Sequence, residues 1–150
     1  MSDVFTGKDT IIIDGRLIED LANGKVAEAR YPNKISNSSI DKNGNSINVY
    51  VADGESCEVT LRVLIGSKTD QYLTLRKSQW KKDPASFVAL TGKFTKRVGN
   101  GKGKTKKVEL NLEGGVFAKN IETEEDTTGD LEQTVAIYLF SFTRTTRTIK

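Results

Sequence analysis

The chain has 150 residues, 29% of them charged and 36% hydrophobic, with a formal net charge of +3. That length suits one domain able to bury roughly two-thirds of its unfolded surface, and the composition excludes wholesale disorder. Zero histidines and a single cysteine, Cys57, remove the commonest general base, the commonest transition-metal ligand, any intramolecular disulfide and a thiolate zinc site.

The opening Met1-Ser2-Asp3-Val4 lacks a basic region followed by an apolar stretch, so no secretory leader is expected and folding is expected in the cytoplasm. No apolar run approaches the ~20 residues that cross a bilayer, and no membrane partner is expected. Thr10-Ile11-Ile12-Ile13 is β-branched, and Asp14-Gly15 predicts a tight hairpin turn into Arg16-Leu17-Ile18. Leu21 to Gly24 reads as a further turn. Lys25 to Tyr31 alternates polar and apolar until Pro32 stops it. Ser36 to Ile40 predicts a weak strand, Lys42 to Asn45 a turn, and Ile47 to Val51 a clear strand. In 57–65, Cys57, Val59, Leu61, Val63 and Ile65 share one face against Glu58, Thr60 and Arg62.

One helix is predicted. Ser67 is placed as its cap, with Asp70 three residues on, where a carboxylate favours the first turn. Tyr72, Leu73, Leu75 and Trp80 supply an apolar stripe, Lys81 and Lys82 fall in the last turn, and Pro84 marks the exit. Strands are then expected over 87–98, 107–112, 116–122 and 131–143, with Gly114-Gly115 as punctuation and 124–130 as an acidic loop. The segments 1–8 and 144–150 read as arms at the ends of a single domain, ordered on assembly. The whole predicts seven to nine strands and one helix: an all-β antiparallel sandwich or half-barrel with a flanking helix.

Charge is strongly segregated. Residues 1–60 carry 6 basic and 10 acidic side chains, 61–108 carry 13 and 2, 109–132 carry 1 and 8, and 133–150 carry 3 and none. Such alternation serves either nucleic-acid binding or self-association of opposite patches. Gly103-Lys104-Thr105 imitates the end of a phosphate-binding loop. The position five residues before Gly103 is Val98 rather than glycine, and Lys106 to Leu110 alternates like a strand, so no helix follows to cradle phosphate. A flexible basic hairpin tip is the expectation instead, with Arg97, Lys102, Lys104, Lys106 and Lys107 available to an acidic neighbour or to DNA phosphates.

Phe87, Phe94, Phe117, Phe140 and Phe142 fall at core positions, which argues against an aromatic platform for single strands. An oligonucleotide-binding barrel remains the rival from another class. Glu19-Asp20 and Glu124-Glu125-Asp126 read as solvated loop charge, and Cys57 as a buried, inert thiol. No catalytic, metal or cofactor residue is assigned, and no enzyme activity is expected. In 131–143, Tyr138 and Phe140 share one face and Ile137 and Leu139 the other. Apolarity on both faces marks these four as candidate subunit contacts.

Several ordered blocks resemble a tail tube protein of long-tailed phages. These are Asp9 to Gly15, Tyr31-Pro32-Asn33, Lys42 to Asn45, Val59 to Val63 followed by Gly66 to Asp70, Leu90 to Phe94, and Gly114 to Phe117. The resemblance spans roughly residues 5–143 and leaves the basic tip Gly99 to Lys107 outside its blocks. It implies homohexameric rings whose inward strands form one continuous β-barrel. Rings stacked head to tail would enclose a tape-measure protein and later pass double-stranded DNA, inside a sheath where the tail has one. The implied location is the virion tail, assembled in the host cytoplasm. A tail-completion or baseplate ring protein and the type VI secretion tube are similar alternatives. The basic tip, Lys102, Lys104, Lys106 and Lys107, is then expected to meet an adjacent subunit or sheath, because lysines lining a channel would retain DNA.

Overall fold

The computed structural model describes residues 3–6, 8–19, 25–126 and 133–150, with the side chains of 25, 125, 126 and 133 set aside. Among them are twelve strands and one α-helix. In chain order the strands are β1 (Asp3–Thr6), β2 (Thr10–Ile13), β3 (Arg16–Leu17), β4 (Lys25–Arg30), β5 (Ser36–Ile40), β6 (Ser46–Tyr50) and β7 (Cys57–Leu64). After the helix α1 (Lys68–Lys82) come β8 (Leu90–Gly99), β9 (Thr105–Phe117), β10 (Glu122–Asp126), β11 (Gln133–Phe142) and β12 (Arg144–Ile149). The pairing is antiparallel throughout, in the order β1-β4-β7-β11-β9-β8-β2-β3, with β10 beside β11, β12 beside β9, and β5-β6 as a separate hairpin.

The turn Asp14-Gly15 joins Ile13 directly to Arg16, and both turn residues have positive φ, 55° and 77°. That is the handedness a two-residue hairpin needs to match strand twist. In β7 burial alternates without a break: Cys57, Val59, Leu61 and Val63 point inward. Its partner β11 places Tyr138 opposite Leu61 and Phe140 opposite Val59, and Phe140 lies opposite Phe117 of β9. The opposing sheet contributes Ile11, Ile13, Leu90, Phe94, Leu110 and Leu112 to the same core.

Gly114-Gly115 does not end a strand. Leu90 pairs with Gly115 and Gly92 with Leu112, so β9 carries one extra residue here and bends. Before the bend β9 pairs with β8 and β12; beyond it, with β11. Thr143 makes the same passage between β11 and β12, and its N–H donates to Glu113 O at 3.1 Å. A Cβ on Gly114, whose φ is 69°, would strike the Thr143 hydroxyl. One on Gly115 would lie 2.5 Å from the Phe142 ring. Two strands therefore turn one corner together, and glycine makes room for it.

Several expectations are corrected. Segment 144–149 is a strand on β9 within the single chain, because Thr145, Thr146, Thr148 and Ile149 supply β-branched residues to a long unpaired edge. The strand expected from Phe87 starts at Leu90, since Pro84–Ser86 forms a short 3-10 turn. No single strand spans 116–122: residues 116–117 end β9, and β10 begins at Glu122. Residues 124–126 thus belong to a strand rather than a loop. The turn at 21–24, Asp20 and the remainder of the acidic loop lie outside the described residues.

The helix forms as read. Ser67 Oγ accepts the Asp70 N–H at 3.2 Å, and the Asp70 carboxylate accepts the Gly66 N–H at 2.9 Å. Its apolar stripe is narrower than expected, for Leu73 is buried and Leu75 is exposed. Polar contacts seat the helix alongside Leu73, Tyr72 and Trp80, which pack in or against the core. The Arg76 guanidinium lies 3.1 Å from the Asp14 carboxylate and donates to Val88 O at 2.7 Å, while Tyr72 donates to Asp14. Ile65 keeps a backbone bond to β11, its N–H donating to Thr134 O at 3.1 Å, but its side chain is exposed rather than buried like Val63.

The corner glycine provides a stability test. Gly115→Ala should destabilise the fold by about 1–3 kcal/mol, because the new methyl meets the Phe142 ring and the Leu90 carbonyl in a packed core. Gly99→Ala, with open space around it, should change stability by less than about 0.5 kcal/mol. Urea unfolding midpoints of the two variants measure the difference.

Candidate assembly surfaces

The four apolar residues of the last long strand divide sharply. Tyr138 (1% exposed) and Phe140 (0%) lie inside the domain's own core, stacked at 5.9 Å between ring centroids. They are corrected from subunit contacts to core residues. The Tyr138 hydroxyl donates to the Asp70 carboxylate at 2.5 Å and lies 3.2 Å from Thr74 Oγ1, which ties β11 to the start of α1. Burial, and then the hydrogen bond to Asp70, push this phenol well above its ordinary pKa, so it stays neutral. Ile137 and Leu139 point the other way. They are half-buried beside Thr60, Lys119, Asn120 and Glu122.

The tip Gly99 to Thr105 is a hairpin end and not a phosphate loop. Asn100 Oδ1 accepts the Lys102 N–H at 2.7 Å, Gly101 and Gly103 take positive φ, and strand β9 follows. Lys102, Lys104, Lys106 and Lys107 are all exposed. Arg97 stands directly opposite Lys107, and Lys107 exchanges backbone hydrogen bonds with Lys150 at 2.9 Å. Like charges facing across a ladder are unfavourable, and an anionic group beside them would offset the repulsion. Nearer the core Glu109 supplies a local one, 3.9 Å from Lys93 and 3.5 Å from Lys150.

Sequence reasoning missed two surfaces. The first is the hairpin β5-β6, exposed along its whole length. The register sets Val49 opposite Asn37 and Ile47 opposite Ser39, so these two share a face, and the Val51–Ile35 bond continues it. Ile47 is 59% exposed and Val49 56%. Alternation of Ile47, Val49 and Val51 was readable as a half-buried strand, but the partner strand Ser36 to Ser39 is polar and gave no sign of what covers it. The second is an open mouth of about 460 Å³ between β1 and the β8-β9 hairpin. Val4, Phe5, Val98, Val108 and Leu110 line it, with Lys96 and Arg147 at its rim. Its lining comes from strands distant in sequence, so no local pattern reveals it.

Cys57 is buried, and burial pushes its thiol up to about 12, which leaves it unreactive. Among the described residues, β1, β3, β10 and β12 of the large sheet are each paired on one side only. Exposed Glu122 and Glu124 put negative charge on the β10 edge, and Arg144 and Arg147 put positive charge on β12.

No known protein family and no curated protein matches the sequence. Solved structures do. A chain of the extended sheath-tube complex of PVC, an extracellular contractile injection system, aligns over 97% of this chain and 91% of its own, with a TM-score of 0.56 and 10% identity. A chain of the cap that terminates the tube of the anti-feeding prophage aligns over 99% and 91%, with a TM-score of 0.56 and 12% identity. The chain therefore has the fold of the tube and cap components of such systems.

The division of β11 predicts opposite outcomes along one strand. Tyr138→Asp and Phe140→Asp should prevent folding, because each places a carboxylate in the core. Ile137→Asp and Leu139→Asp should keep the circular dichroism of the parent and lose at most about 1 kcal/mol, while impairing self-association. Thermal melts and sedimentation of the four variants separate the two faces.

Proposed function

We propose that this chain is a structural subunit whose copies form rings, and that the rings stack head to tail into a tube. The observation that carries the reading is its likeness, over nearly the whole length of both chains, to tube and cap components. The surfaces agree with it. Among the described residues, strands paired on one side only and an exposed apolar hairpin leave the monomer incomplete, since open edges invite pairing and exposed apolar patches mark contact sites. In this reading the rings are homohexamers with a continuous inner barrel, and closure pairs the free edges. Head-to-tail contact is heterologous, so stacking continues as a filament.

The tube is the tail component of a virion or related particle. It encloses a tape-measure protein during assembly and passes double-stranded DNA, with a sheath outside where the tail contracts. It is not an enzyme. A single terminating ring is the second reading, favoured by the likeness to a cap. Electron microscopy of concentrated protein decides between them: long tubes support the stacked tube, isolated rings the cap, and monomers with DNA affinity a nucleic-acid module.

The basic tip fits a protein partner. Lys102, Lys104, Lys106 and Lys107 dock against acidic surface of an adjacent subunit or of a sheath, rather than lining the channel. Single exposed pairs are worth only about 0–1 kcal/mol, but a repeating interface multiplies them. Changing all four lysines to Gln should weaken assembly most at low salt, where screening is least. Turbidity and pelleting across a salt series measure this. Normal assembly with altered DNA passage would place the tip in the channel instead.

A further inference from the structure

The sequence contains three Asn-Gly pairs: Asn23-Gly24, which lies outside the described residues, Asn43-Gly44 in the β5-β6 turn, and Asn100-Gly101 in the basic tip. Asparagine before glycine is open to intramolecular attack, because glycine has no side chain to shield its backbone nitrogen. We propose that Asn100 is a self-modifying site: the folded tip converts its carboxamide to a carboxylate without an enzyme, and does so faster than the turn at Asn43. This stands independently of the tube reading.

The reaction needs only water. The Gly101 nitrogen loses its proton to solvent and attacks Cγ of Asn100. An N–Cγ bond forms, the Cγ–Nδ2 bond breaks, and Nδ2 takes up a proton and leaves as ammonia. Water then opens the cyclic imide and returns a proton to the Gly101 nitrogen. Attack at Cγ leaves an aspartyl residue with the main chain restored. Attack at the backbone carbonyl leaves an isoaspartyl residue, with the main chain running through Cβ and Cγ. Nothing is oxidised or reduced: amide and water give acid and ammonia.

Geometry separates the two described pairs. Asn100 Oδ1 accepts the N–H groups of Lys102 at 2.7 Å and Lys104 at 3.3 Å. The first bond closes an Asx turn, which folds the carboxamide back over the Asn100-Gly101 peptide. Both bonds reach the oxygen on which negative charge develops as the ring closes, the arrangement that stabilises an oxyanion. The Gly101 N–H has no hydrogen-bond partner among the described residues, so it is free to ionise. Lys102 and Lys104, the ionisable side chains of the loop, favour the anions formed, and Asn100 and Gly101 are both open to water. In the β5-β6 turn the Gly44 N–H is occupied, donating to Asp41 O at 3.1 Å. The Asp41 carboxylate accepts the N–H groups of Asn43 and Asn45, both at 2.9 Å, and opposes a second anion beside it.

The product also fits the tip. A carboxylate at this position accepts the same two N–H groups as charge-assisted bonds and stands among exposed lysines. The aspartyl form therefore keeps the hairpin end and lowers its positive charge. The isoaspartyl form lengthens the main chain where the Asn100 N–H donates to Lys104 O at 3.1 Å, and loosens that closure.

Peptide mapping by mass spectrometry tests this on the full chain, held dilute at mildly alkaline pH and sampled over days. Cleavage at glutamate keeps the lysine-rich tip whole, and an isoaspartyl methyltransferase assay reports the second product. In the folded chain Asn100 should gain acid at least about tenfold faster than Asn43, a modest share of what one donor to a developing oxyanion contributes. In denaturant, where local sequence alone sets the rates, the two should fall within about threefold of each other. Asn100→Asp should keep the circular dichroism and melting temperature of the parent. A folded ratio short of tenfold, or no higher than the ratio in denaturant, overturns the proposal. A clear loss of stability in Asn100→Asp overturns the fit of the product. Either result leaves the tube reading intact, because the test needs no assembly.

Discussion

At the corner where β9 bends through Gly114-Gly115 and β11 gives way to β12 at Thr143, two adjacent strands pass together from one sheet to the other. The rest of the molecule follows from that crossing. β9 pairs in one sheet from Thr105 to Gly115 and ends with Val116 and Phe117 in the other, and β11 gives way to β12 across the same corner, so the two sheets are parts of a single hydrogen-bonded surface folded over on itself. The fold-over brings Tyr138, Phe140 and Phe142 against Leu90, Phe94 and Leu112, and burying side chains of this size contributes about 1.5–3 kcal/mol each. A side chain on either glycine would push the strands apart there, because Thr143 and Phe142 already occupy the space.

A sheet folded at one corner is closed at that corner and open elsewhere. Around the start of α1, the helix covers the gap, seated by Tyr138 on Asp70 and by Arg76 on Asp14. Between β1 and the β8-β9 hairpin no described element covers it, and the apolar mouth results. The same topology leaves β1, β3, β10 and β12 paired on one side only. Exposed edges, an open mouth and an uncovered hairpin are costly in a free monomer. They would be relieved if further copies of the chain surrounded it, and the fold is one that occurs in the sheath-tube and tube-cap assemblies of contractile injection systems.

Much of this was legible in the sequence where a local rule operated. The alternation in Cys57 to Val63, the turn at Asp14-Gly15 and the Ser67 cap each depend on residues a few positions apart, and each appears as read. What was illegible depended on partners far along the chain. Gly114-Gly115 reads as a break because nothing nearby reveals that Phe142 and Thr143 crowd the backbone there. Arg144 to Ile149 reads as a polar arm because β9, its partner, lies some thirty residues earlier. Apolarity on both faces of β11 marked four residues alike, and only packing shows that Tyr138 and Phe140 serve the core while Ile137 and Leu139 lie half-buried on the other face. The mouth is the extreme case, assembled from β1, β8, β9 and β12.

The central claim is that the uncovered apolar surfaces of this monomer are covered by other copies of itself. Amide hydrogen exchange at the β5-β6 hairpin tests it most directly, because an isolated two-stranded hairpin opens readily and loses protection when free. The account predicts fast exchange across 36–50 in dilute protein and strong protection of the same amides in concentrated, assembled protein, with the amides of β7 and β11 protected in both. Equal exchange of the hairpin in the two samples, with assembly confirmed by sedimentation, would contradict it.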